Sequence, residues 1–360
     1  IFINDGYSRL PVAFWLLGSA ALVLFMITLG AYTRLTKSGL SMTKWKPIGY
    51  KYPENIEEWN FEFDSYKKTP EYEVNIDMTL KEFKKIFFVE YFHRYVGNVI
   101  GFAFGLPMIY FFAKGHFTKK MKIRSLGLLG LGGIQGFIGW WMVKSGFNKK
   151  PEYQSRPRVS TYRLIIHNSF AVVIYSYLTL LGLKVLFPQK TISHEISMKD
   201  MKYAKRFGIV LIHLVALNLI SGVAVAGIDA GKLFNTWPLM NGKFIPQGFW
   251  KEDLGIWNIF ETIPAVQFNH RTFAYLTYTA SCLAFMTIRK RNIPASLKSG
   301  YNFLFLVVNW QLLYGIHMLI KMVPVTDGVV HQFSGMMVLT TVLYIIAMSK
   351  CKYVLPKMPV

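Results

Sequence analysis

The chain has 360 residues, of which 52% are hydrophobic and only 17% are charged, and its formal net charge is +22. This composition excludes a disordered chain and a fibrous repeat. The two cysteines, Cys282 and Cys351, are too few for a disulfide framework or for cysteine-rich zinc and iron–sulfur sites. The basic residues lie between long apolar runs, which indicates a membrane protein with basic loops at an anionic leaflet. Nucleic acid is therefore not an expected partner.

Eight apolar segments are long enough to cross a bilayer, which needs about 20 helical residues. In chain order the predicted spans are roughly 11–33, 88–112, 124–144, 162–186, 205–227, 263–288, 300–321 and 329–349. The third is rich in glycine, which membrane helices tolerate because small residues let backbones approach closely. An arrangement of six spans with two re-entrant helices is the disfavoured alternative. The sequence thus predicts an all-α integral membrane protein with eight transmembrane helices.

Positive charge in the loops predicts which way the spans face. The second-to-third loop, the sixth-to-seventh loop and the C-terminal end are basic and contain no acidic residue. Such loops stay on the cytoplasmic or matrix side, so both termini are predicted there, with the long loops 34–87 and 228–262 opposite. The basic loop between the third and fourth spans is an exception on the outer side. No targeting peptide is recognisable, and a first residue other than Met predicts a processed chain.

The two halves of the chain repeat one another. The matching segments are GAYTRLTKSGLSMTKW (30–45) with GVAVAGIDAGKLFNTW (222–237), VEYFHR (89–94) with VQFNHR (266–271), Gln135-x-x-x-Gly139 with Gln311-x-x-x-Gly315, and IHNSF (166–170) with VHQFS (330–334). The predicted domains are therefore 1–187 and 188–360, each a four-helix bundle. Because four is even, both bundles enter the membrane from the same side and are related by a pseudo-twofold axis along the membrane normal.

Four of the eight histidines follow this repeat, and they are His93, His167, His270 and His331. Each lies near the outer end of an even-numbered span, so all four share a similar depth. Two imidazoles that face each other across a bundle suit the axial positions of one heme iron, which predicts one heme site per half. Interhelical hydrogen bonding is the alternative for any one histidine. Zinc is not expected, because no third ligand accompanies each pair.

The remaining histidines break the repeat. His116 and His194 lie in basic loops and are predicted to be solvated, whereas His213 and His317 are predicted to hydrogen-bond between helices.

The halves differ in one acidic residue. Glu90 precedes His93 by three positions, whereas Gln267 precedes His270 by the same spacing. A spacing of three puts each on the histidine's face of the helix. A carboxylate inside a bilayer costs roughly 2–4 kcal/mol and is a functional candidate by default, although pairing with Arg94 at the surface is the alternative. The difference predicts chemistry in the first half and electron transfer or structure in the second.

Four arginines near the histidines could bind heme propionates, because the guanidinium fork pairs with carboxylates in a bidentate way. They are Arg34, Arg94, Arg163 and Arg271. Snorkelling of these side chains to the interface remains open. In the outer loop, Thr79 and Glu82 have the spacing of a capping box, which predicts that the second long helix begins outside the membrane.

Several motifs together resemble those of the heme A synthase family, of the mitochondrial and proteobacterial type. They are TRLTKSGLSMTKWKP (33–47), EYFHR (90–94), RVSTYRLIIHN (158–168), QFNHR (267–271) and His331-Gln332. The resemblance covers nearly the whole chain, but the cysteine pairs of some bacterial members do not occur here. It implies an enzyme of the mitochondrial or bacterial inner membrane that converts heme O to heme A for cytochrome c oxidase, by two hydroxylations of a methyl group and loss of water.

The resemblance also implies a role for each candidate residue. His93 and His167 would hold the substrate heme, His270 and His331 a heme b, and Glu90 would act near the substrate methyl group. A matrix ferredoxin system would supply electrons to a mitochondrial member, docking on the basic loops. Homo-oligomers, heme O synthase and cytochrome c oxidase assembly factors are further expected partners.

Two other classes of protein remain as alternatives. A diheme transmembrane electron-transfer cytochrome needs two equivalent sites, and the exchange of Glu90 for Gln267 argues against it. A transporter with parallel repeats needs helices broken at mid-membrane, whereas Pro107 alone interrupts a span centre.

Overall fold

The computed structural model describes residues 2–46, 49–148, 157–188 and 196–349, and this part of the chain is helical apart from loops and two isolated β-bridges. Its α-helices are α1 (Leu10–Leu35), α2 (Ile56–Lys67), α3 (Leu80–Ala113), α4 (Lys119–Lys144), α5 (Thr161–Leu186), α6 (Met198–Gly227), α7 (Asn258–Glu261), α8 (Ile263–Ile288), α9 (Ala295–Ile320) and α10 (Val325–Met348). The prediction of an all-α protein is confirmed.

The described residues form eight long helices, of which seven are long and apolar enough to span a membrane, namely α1, α3, α4, α5, α6, α9 and α10. The eighth, α8, matches the predicted span 263–288 in its bounds but is less apolar. Its first half carries Gln267, Asn269, His270 and Arg271. The glycine-rich α4 is one continuous helix of 26 residues.

The long helices pack around one apolar core to which both halves contribute. In the first half α1 packs against α3 and α5, and α4 packs against α5. In the second half α6 packs against α8 and α10, and α9 packs against α8 and α10. The halves meet where α1 and α5 contact α10 and where α5 contacts α6. Leu16 of α1, Leu211 of α6 and Val342 of α10 are fully buried in this core.

The outer loop before α3 forms a small layer of its own. The predicted capping box is confirmed, because the Thr79 hydroxyl accepts a hydrogen bond from the Glu82 backbone while the Glu82 carboxylate accepts one from the Thr79 backbone. Helix α3 therefore begins at Leu80, about two turns before its predicted apolar span. A cluster of buried side chains joins α2 to this first part of α3, formed by Met42, Trp59, Phe63, Tyr66, Phe83 and Phe87.

Beside this cluster, Tyr50 donates a hydrogen bond to Glu62 at 2.5 Å. Burial, together with this bond to a carboxylate, raises the pKa of the Tyr50 phenol.

Candidate functional site

Each of the four repeated histidines packs against a glycine of a neighbouring helix. A Cβ atom on that glycine would lie between 2.8 and 3.3 Å from Cε1 of the imidazole, so a larger residue would force the histidine ring to shift. The pairs are Gly30 with His93, Gly139 with His167, Gly222 with His270, and Gly315 with His331. We call these four residues the seat glycines, because each repeated histidine ring packs against one of them.

The C-terminal pair has the separation that a shared metal ion requires. The ring centroids of His270 and His331 are 6.5 Å apart, and the ring planes lie at 82°. Two imidazoles that bind one metal ion from opposite sides, through nitrogen–metal bonds of about 2 Å, have centroids about 6 Å apart. The distance between these two rings is therefore compatible with one metal ion held between them.

One cavity of about 1540 Å³ reaches both histidine pairs. Small-molecule pockets occupy roughly 300–1,000 Å³, so this space has room for more than one macrocycle. Its walls are mainly apolar side chains and glycines. The predicted site residues that line it are His93, His167, His270, His331, Glu90, Arg34, Arg94 and Arg271. Arg163 is the predicted site residue that does not line it.

Glu90 is 2% exposed, and four hydrogen bonds fix its carboxylate. One oxygen, Oε2, accepts from the backbone and hydroxyl of Ser41 at 2.7 Å each and from the backbone of Met42 at 2.8 Å. The other, Oε1, accepts from Arg94 at 2.5 Å. Arg94 also donates to the carbonyls of Met42 and Lys44. Glu90 and Arg94 together hold the loop that follows α1.

Gln267 and Arg271 hold the equivalent loop of the second half with the opposite polarity. Gln267 donates to the carbonyls of Ala230 and Leu233, whereas the Glu90 carboxylate accepts. Arg271 donates to Gln267 and to the carbonyls of Phe234 and Thr236. The repeat therefore extends to the hydrogen bonds, with an acid exchanged for an amide.

The other two predicted arginines have different surroundings. Arg34 donates to the carbonyl of Gly227 at 3.2 Å and lies 3.5 Å from the carboxylate of Asp229, so it links the two halves. Arg163 donates to the carbonyl of Trp141 at 2.7 Å, and its guanidinium stacks over the Trp141 ring.

Two glutamines of the sequence repeat, Gln135 and Gln311, contact the second histidine of each pair. The Gln135 amide donates to the backbone carbonyl of His167 at 3.1 Å and lies 3.2 Å from its Nδ1 atom. The Gln311 amide donates to the carbonyl of His331 at 3.2 Å. The signal that could have identified them is their spacing, since each glutamine precedes a seat glycine by four residues, one helical turn.

The structure agrees only in part with the predictions for the other histidines. His116 is half-buried and packs against Tyr7, with ring centroids 4.2 Å apart, so it is only partly solvated. His213 contacts the carbonyl of Ile209 in its own helix rather than a neighbouring one. His317 does reach between helices, 3.7 Å from Asp327 of α10. His194 lies outside the described residues.

Comparison with known proteins places this architecture in one family. The family of cytochrome oxidase assembly proteins matches residues 13–343. A heme A synthase of Arabidopsis thaliana is 40% identical over 92% of this chain and 73% of its own length. One from Nitrosospira multiformis is 36% identical over 93% of this chain and 92% of its own. A fusion of heme A synthase with mitochondrial ferredoxin in Schizosaccharomyces pombe is 41% identical over 92% of this chain, which spans 59% of the fusion. The chain therefore belongs to the heme A synthase family of cytochrome oxidase assembly proteins.

Proposed function

We propose that the chain is a heme A synthase, which oxidises one porphyrin methyl group of heme O to a formyl group and so supplies heme A for cytochrome c oxidase. The observation that carries this proposal is the single cavity that two histidine pairs share, with a carboxylate beside one pair and an amide beside the other. An acidic residue in one site and a neutral residue in the other fit two different roles. One site would hold the heme that reacts, and the other would hold a heme that stays bound.

The architecture behind this function is two tandem four-helix bundles, 1–187 and 188–360, with eight transmembrane helices and a pseudo-twofold axis along the membrane normal. The support is that equivalent residues of the halves make equivalent contacts. The seat glycines, Gly30 with His93 and Gly222 with His270, are one example. In this arrangement α8 is the sixth span in chain order, and its polar residues Gln267, His270 and Arg271 line the cavity rather than face lipid.

The histidines divide by half. His93 and His167 hold the substrate heme O, and His270 and His331 hold a resident heme b. When bound, heme b supplies one-electron transfer. The 6.5 Å separation of the His270 and His331 rings supports the second assignment. The seats at Gly30 and Gly139 support the first, because they bring His93 and His167 to the wall of the same cavity.

Glu90 is the proposed catalytic carboxylate, acting in proton transfer near the substrate methyl group. Its four hydrogen bonds to Ser41, Met42 and Arg94 hold it in one orientation, which a group that works on one porphyrin position requires. Removal of a general acid or base typically lowers the rate by about 10²–10⁴.

The predicted arginines are proposed to bind propionates. Arg34, Arg94 and Arg271 support this because their side chains line the cavity. All three already donate to backbone carbonyls, so they are held in place before a propionate arrives. Arg163, which stacks on Trp141, retains its assignment from the sequence pattern alone.

The proposed location is the mitochondrial or bacterial inner membrane, with both termini on the matrix or cytoplasmic side. On that side the first residues of α4 and the loop after α8 expose Lys119, Lys120, Lys122, Arg289 and Lys290. A positive surface of this kind attracts an acidic electron donor, and the fusion of one relative to a ferredoxin supports a ferredoxin in this role. Homo-oligomers, heme O synthase and oxidase assembly factors complete the proposed partners.

The test is acid–acetone extraction of heme from the purified protein, followed by chromatography and mass detection. We expect heme B together with heme O, heme A or a hydroxylated intermediate. Heme B alone, at about two per chain, would instead indicate a diheme electron-transfer cytochrome. A folded protein without heme would return the four histidines to interhelical hydrogen bonding.

A further inference from the structure

The two histidine pairs differ in what holds their first member. In the second half, Ser221 of α6 places its hydroxyl oxygen 2.9 Å from Nδ1 of His270. The same hydroxyl donates its proton to the carbonyl of Asn218, also at 2.9 Å. Because a hydroxyl has one proton to donate and Ser221 gives it to Asn218, we assign Nδ1–H of His270 as the donor to the Ser221 oxygen. In this assignment the imidazole proton is on Nδ1, and the lone pair of Nε2 is left for a metal ion.

A second serine holds the glutamine beside the other ligand of that half. The Ser334 hydroxyl donates to Oε1 of Gln311, while the amide nitrogen of Gln311 donates to the backbone carbonyl of His331. Gln311 is thereby fixed at both ends. Its side chain supports the turn of α10 that carries His331.

The first half has no serine at either equivalent position. The residue before the seat glycine is Leu29 where the second half has Ser221, and Phe170 stands where the second half has Ser334. Accordingly, among the described residues, Nδ1 of His93 and Oε1 of Gln135 are buried without a hydrogen-bond partner. Nδ1 of His331 is also without one, so the contrast concerns His270 against His93 and Gln311 against Gln135.

We propose that Ser221 and Ser334 are positioning residues that make the C-terminal pair a permanent heme site, whereas Leu29 and Phe170 leave the N-terminal pair able to exchange its heme. This inference rests on the proposed assignment of the histidines as heme ligands. An Nδ1–H bond fixes the plane of a ligating imidazole and strengthens it as a donor to the metal. A cofactor site gains from both effects, and a site that must release its product gains from neither.

The central test is Ser221→Ala, compared with Ser221→Thr and Ser281→Ala. Ser281 is the matched control because it is also buried and donates to the carbonyl of Thr277 in its own helix, with no histidine involved. Loss of a hydrogen bond to a metal ligand typically weakens metal binding about 10–100-fold. We expect Ser221→Ala to weaken retention of the resident heme by that factor and to raise its midpoint potential, because a weaker donor destabilises the oxidised iron. Ser221→Thr should restore both, and Ser281→Ala should change neither.

The reciprocal variant is Leu29→Ser, which offers His93 the partner that it lacks. We expect this variant to retain substrate or product heme through a detergent wash that removes it from the unaltered protein, with the resident heme unchanged. Retention equal to that of the unaltered protein would contradict the part of the proposal that concerns the first half.

His270→Ala separates this inference from the proposed function. If His270→Ala keeps its resident heme, the ligand assignment itself is wrong. If His270→Ala loses the heme while Ser221→Ala has the heme content and midpoint potential of Ser281→Ala, the assignment stands and the role of Ser221 is refuted.

Discussion

The two halves of the molecule share a scaffold and differ in the polar residues placed on it. Both seat their histidines on glycines and bring a glutamine to the second histidine. The differences lie one step away, where Glu90 replaces Gln267, Leu29 replaces Ser221 and Phe170 replaces Ser334. The comparison teaches that the repeat fixes where the histidines lie, and that the halves differ in the polar side chains next to them.

The loops that follow α1 and α6 have adapted to this exchange. In the first loop the backbone N–H groups of Ser41 and Met42 point at a carboxylate, whereas in the second the carbonyls of Ala230 and Leu233 point at an amide. An acid needs donors and an amide nitrogen needs acceptors. The loop of the first half is therefore arranged to bind the Glu90 carboxylate.

The largest effect is expected when one histidine of either pair is removed. We expect His331→Ala to lose the resident heme completely, because one imidazole of the 6.5 Å pair is gone. We expect His93→Ala to keep that heme and to form no heme A. Pyridine hemochrome spectra give the heme content, and chromatography of extracted heme gives the product. Equal loss of resident heme in both variants would show that the halves do not have separate tasks.

Exchange of the acid and the amide comes next. Glu90→Gln should retain the resident heme and lower product formation about 10²–10⁴-fold, the usual contribution of a general acid or base. Product formation at the unaltered rate would remove Glu90 from the chemistry.

The reverse change, Gln267→Glu, should reduce stability rather than create a second reaction centre. It would place a buried carboxylate against the carbonyls of Ala230 and Leu233, leaving those acceptors without a donor, at about 1–3 kcal/mol each. An unfolding midpoint in detergent below that of the unaltered protein checks this prediction. An unchanged midpoint would show that the polarity of the second loop is unimportant.

The comparison of the halves also shows which site residues can be predicted from the sequence. The four histidines, Glu90 and the seat glycines were all visible as letters at repeated spacing, because a repeat preserves spacing along the chain. The bond between Glu90 and Ser41 was not, since those residues are 49 positions apart and meet only when α3 packs beside the loop after α1. Ser221 could not be predicted from the repeat either, because the first half has Leu29 at the equivalent position.

A substitution of the seat glycines tests the shared scaffold with a smaller expected effect. In Gly315→Ala the new Cβ would lie 2.8 Å from His331, and overpacking of this kind costs about 1–3 kcal/mol. Gly127→Ala in α4 is the matched control, because Gly127 does not line the cavity and a Cβ there meets no atom within 4 Å. We expect Gly315→Ala to lower the content of resident heme and Gly127→Ala to leave it unchanged. Similar heme contents in the two variants would mean that the close contact at Gly315 does not position His331.

The smallest effect is expected at the ion pair between the halves. Arg34 lies 3.5 Å from Asp229, whose side chain is 40% exposed, so the pair contributes about 1 kcal/mol or less. Asp229 has a positive φ of 55°, a conformation that asparagine also accepts, so Asp229→Asn removes the charge without straining the backbone.

We expect Asp229→Asn to shift the thermal unfolding midpoint by no more than a few degrees, with the shift vanishing in high salt. Arg34→Ala should cost more, because the carbonyl of Gly227 also loses its donor. A large effect of Asp229→Asn would mean that electrostatics hold the halves together. The small one expected here follows from the apolar contacts of α1 and α5 with α10, which join the halves over far more surface than one ion pair can cover.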